Sequence, residues 1–132
     1  MAKFGVVLVS HSALIATGLK ELVNEMNDGS VPVIDAGGAD EGRIGTSAIK
    51  IMEAIESLSD CEHILIYADL GSSILSTETA FDFLDEELAA KCQIVDCPIV
   101  EGALAGVVQA TMAETVEEVI QASEGARDAH KL

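Results

Sequence analysis

Phe4-Gly5-Val6-Val7-Leu8-Val9-Ser10-His11-Ser12 is the stretch whose reading decides the fold. Its first six residues are apolar with no polar alternation, the pattern of a strand covered on both faces. The strand ends beside His11, and a helix is expected to begin at the next residue. One imidazole therefore stands at the carboxyl end of a strand, next to the free N–H groups of a helix start. In open α/β sheets ligands bind at such ends, and those N–H groups favour anions. Histidine there can serve as base, metal ligand or nucleophile. The plainer alternative is a polar residue that only starts a helix.

Outward from this strand the pattern alternates. Ile15, Leu19, Leu22, Val23 and Met26 recur at helical spacing, stopped by Asn27-Asp28-Gly29. Val31 to Asp35 reads as a second strand. The loop from Ala36 to Gly42 follows, and Thr46 or Ser47 can cap a helix that turns Ala48, Ile51, Met52, Ile55 and Leu58 inward. His63 to Ala68 is the clearest buried strand, followed by a helix carrying Leu75, Ala80, Phe83, Leu84 and Leu88. Gln93 to Asp96 is a short fourth strand. One long last helix is expected from about Val100 into the 120s, with Gly102 and Gly106 allowing close packing on the sheet. The expected architecture is α/β: a single open, mainly parallel four-stranded sheet with helices on both faces and right-handed crossovers. Residues 1–123 form one domain in this reading, and 124–132 a polar, frayed C-terminal tail.

Composition agrees. The 132 residues suit one domain, 49% hydrophobic but only 3% aromatic, so Val, Ile, Leu and Ala must build the core. Lys and Arg number 7 against 23 Asp and Glu, a formal charge of -16, which argues against nucleic acid as a partner. No apolar run is long enough for a membrane span. Cys61, Cys92 and Cys97 form no CxxC pair, and with no targeting segment they read as reduced thiols of a cytoplasmic protein.

In this topology three unusual loops open onto one sheet edge: Ser10-His11-Ser12, the glycine-rich loop through Gly38 to Thr46-Ser47, and Asp69-Leu70-Gly71-Ser72-Ser73. They bring one imidazole, one carboxylate and several hydroxyls together. A carboxylate beside histidine can fix its tautomer and stabilise its cation. Hydroxyls and helix-start N–H groups can hold phosphoryl oxygens. On this ground His11 and Asp69 are the candidate catalytic pair. Ser10, Ser12, Gly38, Thr46, Ser47, Gly71, Ser72 and Ser73 are candidate phosphoryl-binding residues. Asp69 taken alone could equally be a helix cap. The glycine-rich loop lacks the lysine of a nucleotide phosphate loop, no GxGxxG follows the first strand, and no ligand cluster suggests a metal. His63 opens a strand and His130 lies in the tail, so neither is a candidate. No cofactor or metal is expected.

Val7-Leu8-Val9-Ser10-His11-Ser12, Ala36-Gly37-Gly38, Gly42-Arg43-Ile44-Gly45-Thr46-Ser47, Asp69-Leu70-Gly71-Ser72 and Pro98-Ile99-Val100-Glu101-Gly102-Ala103 occur in that order. The set resembles the DhaM family, phosphotransferase subunits of bacterial PTS-dependent dihydroxyacetone kinases, in its mannose-type EIIA domain, over about residues 4–122. The resemblance implies that His11 accepts a phosphoryl group from the phosphocarrier HPr, with Asp69 near the imidazole. The group then passes to ADP held by a nucleotide-binding kinase subunit, while a third subunit holds dihydroxyacetone. It also implies a homodimer, for which Val107, Val108, Met112, Val116, Val119 and Ile120 offer apolar surface on more than one helix face. The chain ends after this domain, so the phosphoryl donors are expected on separate proteins. Two other readings fit the same edge: a sugar-transport mannose-type EIIA that serves an EIIB, and a non-catalytic nucleotide- or flavin-binding module. The second would have only Tyr67 and three Phe for ring stacking.

Overall fold

In the computed structural model, which describes residues 2–132, β1 (Phe4–Val9) and β3 (His63–Ala68) pair in parallel along their whole length, from Phe4 opposite His63 to Val9 opposite Ala68. β2 (Val33–Asp35) adds to the outer side of β1 and β4 (Cys92–Ile94) to the outer side of β3, giving the order β2-β1-β3-β4 with every pairing parallel. All six residues of β1 are buried. Their lack of alternation is what a strand needs when helices cover both faces.

The alternating side chains of the strands divide the core in two. Val6, Leu8, Leu65 and Tyr67 pack with α1 (Ala13–Asn24), α5 (Ile99–Ala110) and α6 (Val116–Gly125). Val7, Val9, Ile64 and Ile66 pack with α2 (Ala48–Glu56), α3 (Gly71–Phe83) and α4 (Glu86–Ala89). The expected open parallel sheet with helices on both faces is therefore present.

Several boundaries differ from expectation, each for a local reason. The single long last helix is two helices. α5 stops at Ala110 and the chain reverses before Thr115, whose hydroxyl accepts from the Glu118 N–H while the Glu118 carboxylate accepts from the Thr115 N–H. This reciprocal capping box starts a new helix. α6 folds back on α5, so Val119 is buried within the chain and Val116 and Ile120 pack against the same core. Of the six residues from which a dimer face was expected, Met112 remains widely exposed, at 68%.

The helix after β3 also breaks. Leu84 is extended and Asp85 caps α4 through the Leu88 N–H. Leu84 and Leu88 are buried, but Leu75 and Phe83 face solvent. Small residues Ser73, Thr77 and Ala80 form the inner face of α3 instead. On α1 the buried positions are Ala16, Leu19 and Val23, leaving Ile15 and Leu22, and Met26 in the turn that follows, exposed. Beyond the expected boundary at Ser123, itself fully buried, helical order continues to Gly125 and a short turn spans Ala126–Asp128. Arg127 then pairs with Asp96, and Lys131 with Glu101.

Gly106 shows why α5 lies so close to the sheet. A Cβ there would collide with the Tyr67 and Ser123 hydroxyls. Those hydroxyls bond each other at 2.7 Å, and Ser123 donates onward to the Gly102 carbonyl at 2.9 Å. The buried phenol is satisfied, and β3, α5 and α6 are tied together.

Candidate active site

The crossover leaving β1 leads to β2 on one side, and the crossover leaving β3 leads to β4 on the other. The carboxyl ends of β1 and β3 thus flank the point where winding reverses, the crevice that open α/β sheets use for ligands. Because Val9 lies opposite Ala68, His11 and Asp69 emerge side by side.

Asp69 is the hub. Its Oδ1 accepts from the Ser73 hydroxyl at 2.6 Å and the Leu70 N–H at 2.7 Å, and lies 2.9 Å from His11 Nδ1. Its Oδ2 accepts from the Ser10 hydroxyl at 2.8 Å and the His11 N–H at 3.1 Å. Burial by itself would raise the carboxyl pKa. The donors from Ser73, His11 and Ser10 outweigh it and hold Asp69 well below the usual carboxylate range. The carboxylate is therefore an acceptor only, and the proton on His11 belongs on Nδ1. That leaves the electron pair on Nε2, which faces the Ser72 hydroxyl. His11 is 23% exposed and Asp69 14%, so the ring is reachable while its partner is shielded.

The remaining candidates divide by position. Ser10 and Ser73 are fully buried, with their hydroxyls committed to Asp69, so they stand behind the carboxylate and not toward incoming ligand. Ser12 caps α1 through the Ile15 N–H, and Ser47 caps α2 through the Lys50 N–H. Thr46 bonds Ser76 of α3 at 2.6 Å. Gly38, at φ +79 where a side chain would be strained, lets its N–H reach the Ser10 carbonyl. Gly71 opens α3 and delivers Ser72 to the ring. Asp69 does not cap α3 as N-cap, a position held by Leu70. His63 starts β3, at the opposite end of the sheet from His11.

The segments that carry the site leave a rim of apolar side chains without cover: Leu14 at 84% exposure, Ile44 at 76% and Leu70 at 64%. Sequence reasoning missed this rim. The signal was present in Ile44 and Leu70, apolar residues in loops that offer them nothing to pack on. A cleft of about 240 Å³ adjoins it, lined by Asp69, Leu70, Ile74, Asp96 and Cys97. A larger cleft of about 500 Å³ lies between β2 and α2, around Asp35, Lys50 and Glu53, and includes neither His11 nor Asp69. Burial pushes the Cys92 and Cys97 thiols up to about 11, so neither is a thiolate at neutral pH. Tyr67 is fully buried and cannot stack on a ligand ring. Among the described residues, no three His, Cys, Asp or Glu side chains are placed to hold a metal ion, and no helix is long and apolar enough to cross a membrane.

The chain matches the family model EIIA-man, described as PTS system fructose IIA component, over residues 5–120. It is 45% identical over 116 residues to the phosphoryl donor subunit DhaM of PEP-dependent dihydroxyacetone kinase 2 from Listeria innocua, covering 88% of this chain and 93% of that protein. The corresponding subunit from Providencia stuartii is 44% identical over 128 residues, but the match, 95% of this chain, spans only 27% of that longer protein. A solved protein of unknown function superposes with TM-score 0.85 at 36% identity, covering 98% of this chain and 97% of the other. The phosphotransferase system component EIIA from Streptococcus agalactiae superposes with TM-score 0.62 at 16% identity over 97% and 93% of the two chains, a likeness of fold.

Proposed function

The chain belongs to the EIIA-man family, and from that premise we propose that it is the phosphohistidine relay of a PTS-dependent dihydroxyacetone kinase, with His11 as the residue that carries the phosphoryl group. The observation that carries this reading is the 2.9 Å contact between His11 Nδ1 and Asp69, which puts the electron pair on Nε2, where only the Ser72 hydroxyl faces it.

In the proposed reaction Nε2 forms a bond to phosphorus as the bond to the donor histidine of HPr breaks. The ring becomes cationic, and its proton stays on Nδ1, hydrogen-bonded to the Asp69 carboxylate, which stabilises that charge. In the second transfer the N–P bond breaks toward a terminal oxygen of ADP, and the electron pair returns to Nε2. Catalysis of this kind is mostly positioning and electrostatics. The nucleotide is placed on a partner kinase subunit, together with the Mg²⁺ that neutralises its phosphates; a third subunit would hold dihydroxyacetone. This chain has neither a phosphate-loop lysine nor an exposed aromatic ring beside His11 for a base. The rim of Leu14, Ile44 and Leu70 suits docking of these protein partners in turn, and the net charge of -16 favours basic docking faces. The outer face of α1 and the turn after it, with Ile15, Leu22 and Met26 exposed, is the surface on which we place a second copy in a homodimer. The proposed setting is the cytoplasm, where thiols stay reduced.

The test is intact mass after incubation with phosphorylated HPr. One acid-labile phosphoryl group should appear, His11→Ala should abolish it, and changes at His63 or His130 should not. Normal labelling of His11→Ala would overturn the assignment. The phosphorylated chain should yield little ATP from ADP alone and discharge quickly once the nucleotide-binding subunit is added. Discharge by a sugar-specific EIIB in its place would make the chain a sugar-transport EIIA.

A further inference from the structure

Arg43 is the one Lys or Arg in the loops that open at the His11 edge, residues 10–12, 36–47, 69–70 and 95–98. Two cations reach these loops from neighbouring helical turns, but Lys50 Nζ is bonded to the Ala39 carbonyl and Arg127 is paired with Asp96, while Asp69 is ionised and Asp40, Glu41 and Asp96 stand in the same loops. A phosphoryl group on Nε2 would bring further negative charge into this setting, and general electrostatics calls for a positive partner.

The loop holding Arg43 is tied to the site from several directions. Gly45 N–H donates to the His11 carbonyl at 2.8 Å, and Ala39 N–H to the Arg43 carbonyl at 2.8 Å. Thr46 is bonded to Ser76, and Lys50 Nζ donates to the Ala39 carbonyl at 3.0 Å. The base of the side chain is thereby held, while the side chain itself is exposed. Its Nε–H donates to the Asp40 carbonyl at 3.2 Å, and Arg43 joins none of the ion pairs among the described residues. Both terminal NH₂ groups are therefore open to a ligand. Two residues of extended chain span about 7 Å, and an arginine side chain has a similar length. Arg43 stands two residues before the Gly45–His11 bond, so its backbone lies within about that distance of the His11 carbonyl.

Resting on the relay reading above, we propose that Arg43 leaves the Asp40 carbonyl and binds the oxygens of the phosphoryl group on His11 Nε2, as a catalytic residue for both transfers. A planar guanidinium offers two parallel donors to such oxygens, which a lysine cannot.

The experiment uses phosphoramidate, a small donor that needs no protein docking. Nε2 attacks phosphorus, the donor P–N bond breaks, and ammonia leaves after taking a proton from solvent. Labelling of wild type, Arg43→Ala and Arg43→Lys is followed by intact mass, and the phosphohistidine by its ³¹P resonance, with circular dichroism as the folding control. Arg43→Ala should label at least about tenfold more slowly and show a displaced ³¹P resonance, with Arg43→Lys in between. Wild-type labelling and an unmoved resonance in Arg43→Ala would overturn the proposal. So would a defect confined to labelling from HPr, which would make Arg43 a docking residue. Arg43-dependent labelling by phosphoramidate in a chain that HPr cannot label would support the role of Arg43 and overturn the relay reading instead.

Discussion

Asp69→Asn tests the geometry most sharply, because either orientation of the amide disturbs the bonds that fix His11. The substitution replaces one oxygen by an NH₂ group that can only donate. At the Oδ2 position that group would face the Ser10 hydroxyl and the His11 N–H, both donors now. The hydroxyl can rotate but the backbone N–H cannot, and leaving it unpaired in a shielded site costs about 1–3 kcal/mol. At the Oδ1 position the NH₂ would face the Leu70 N–H, the Ser73 hydroxyl and His11 Nδ1. The imidazole can accommodate it by moving its proton to Nε2, where the Ser72 hydroxyl would accept it. That tautomer has no electron pair on Nε2 and cannot attack phosphorus. Changing a triad carboxylate to its amide costs about 10⁴-fold through the same loss of tautomer. Here the expected loss in transfer rate is about 10²–10⁴-fold, with a stability loss near 2 kcal/mol, or about 8 °C in Tm. Rapid-quench labelling from phosphorylated HPr under single-turnover conditions reads the rate, and calorimetry reads the fold. A folded Asp69→Asn that labels within about threefold of wild type would refute the tautomer argument and leave Asp69 with a purely structural role.

Other consequences follow from the same contacts. The folded-state pKa of Asp69 lies below its unfolded value of about 3.9, so its contribution to stability is complete above that value and drains away as pH falls below it. Wild type should therefore lose more Tm between about pH 5 and 3 than Asp69→Asn does, and equal losses would contradict the hydrogen-bond count at Asp69. Gly106→Ala should destabilise by about 1–3 kcal/mol in chemical denaturation, because its Cβ would displace the Tyr67–Ser123 pair. Thr115→Ala should cost about 1 kcal/mol by removing the capping box, visible as a Tm drop near 4 °C without change in labelling. Leu22→Glu on the outer face of α1 should turn a dimer into a monomer by light scattering, whereas a wild-type monomer at micromolar concentration would remove the homodimer from the proposal.

The sequence by itself determined the layer architecture and the address of the site. Unbroken apolar runs at Phe4–Val9 and His63–Ala68 admit only strands covered on both faces, and helical spacing between them requires crossovers. Parallel strands place all carboxyl ends on one edge, so His11 and Asp69 could be brought together from topology alone. The division of labour among the hydroxyls was another matter. Ser10, Ser72 and Ser73 look alike in one dimension, yet Ser10 and Ser73 are buried supports of Asp69, Ser73 also lying 3.2 Å from His11 Nδ1, and Ser72 alone faces Nε2. Only the register of β1 against β3 and the rotation of α3 separate them. The fold-back of α6 was written in Thr115-Val116-Glu117-Glu118, but the apolar spacing continued across the break and concealed it. Periodicity reports which side chains seek cover, while the partner that supplies the cover is a property of the tertiary packing. For that reason Val119 could be read as surplus surface until α6 was seen to bury it against the chain's own core.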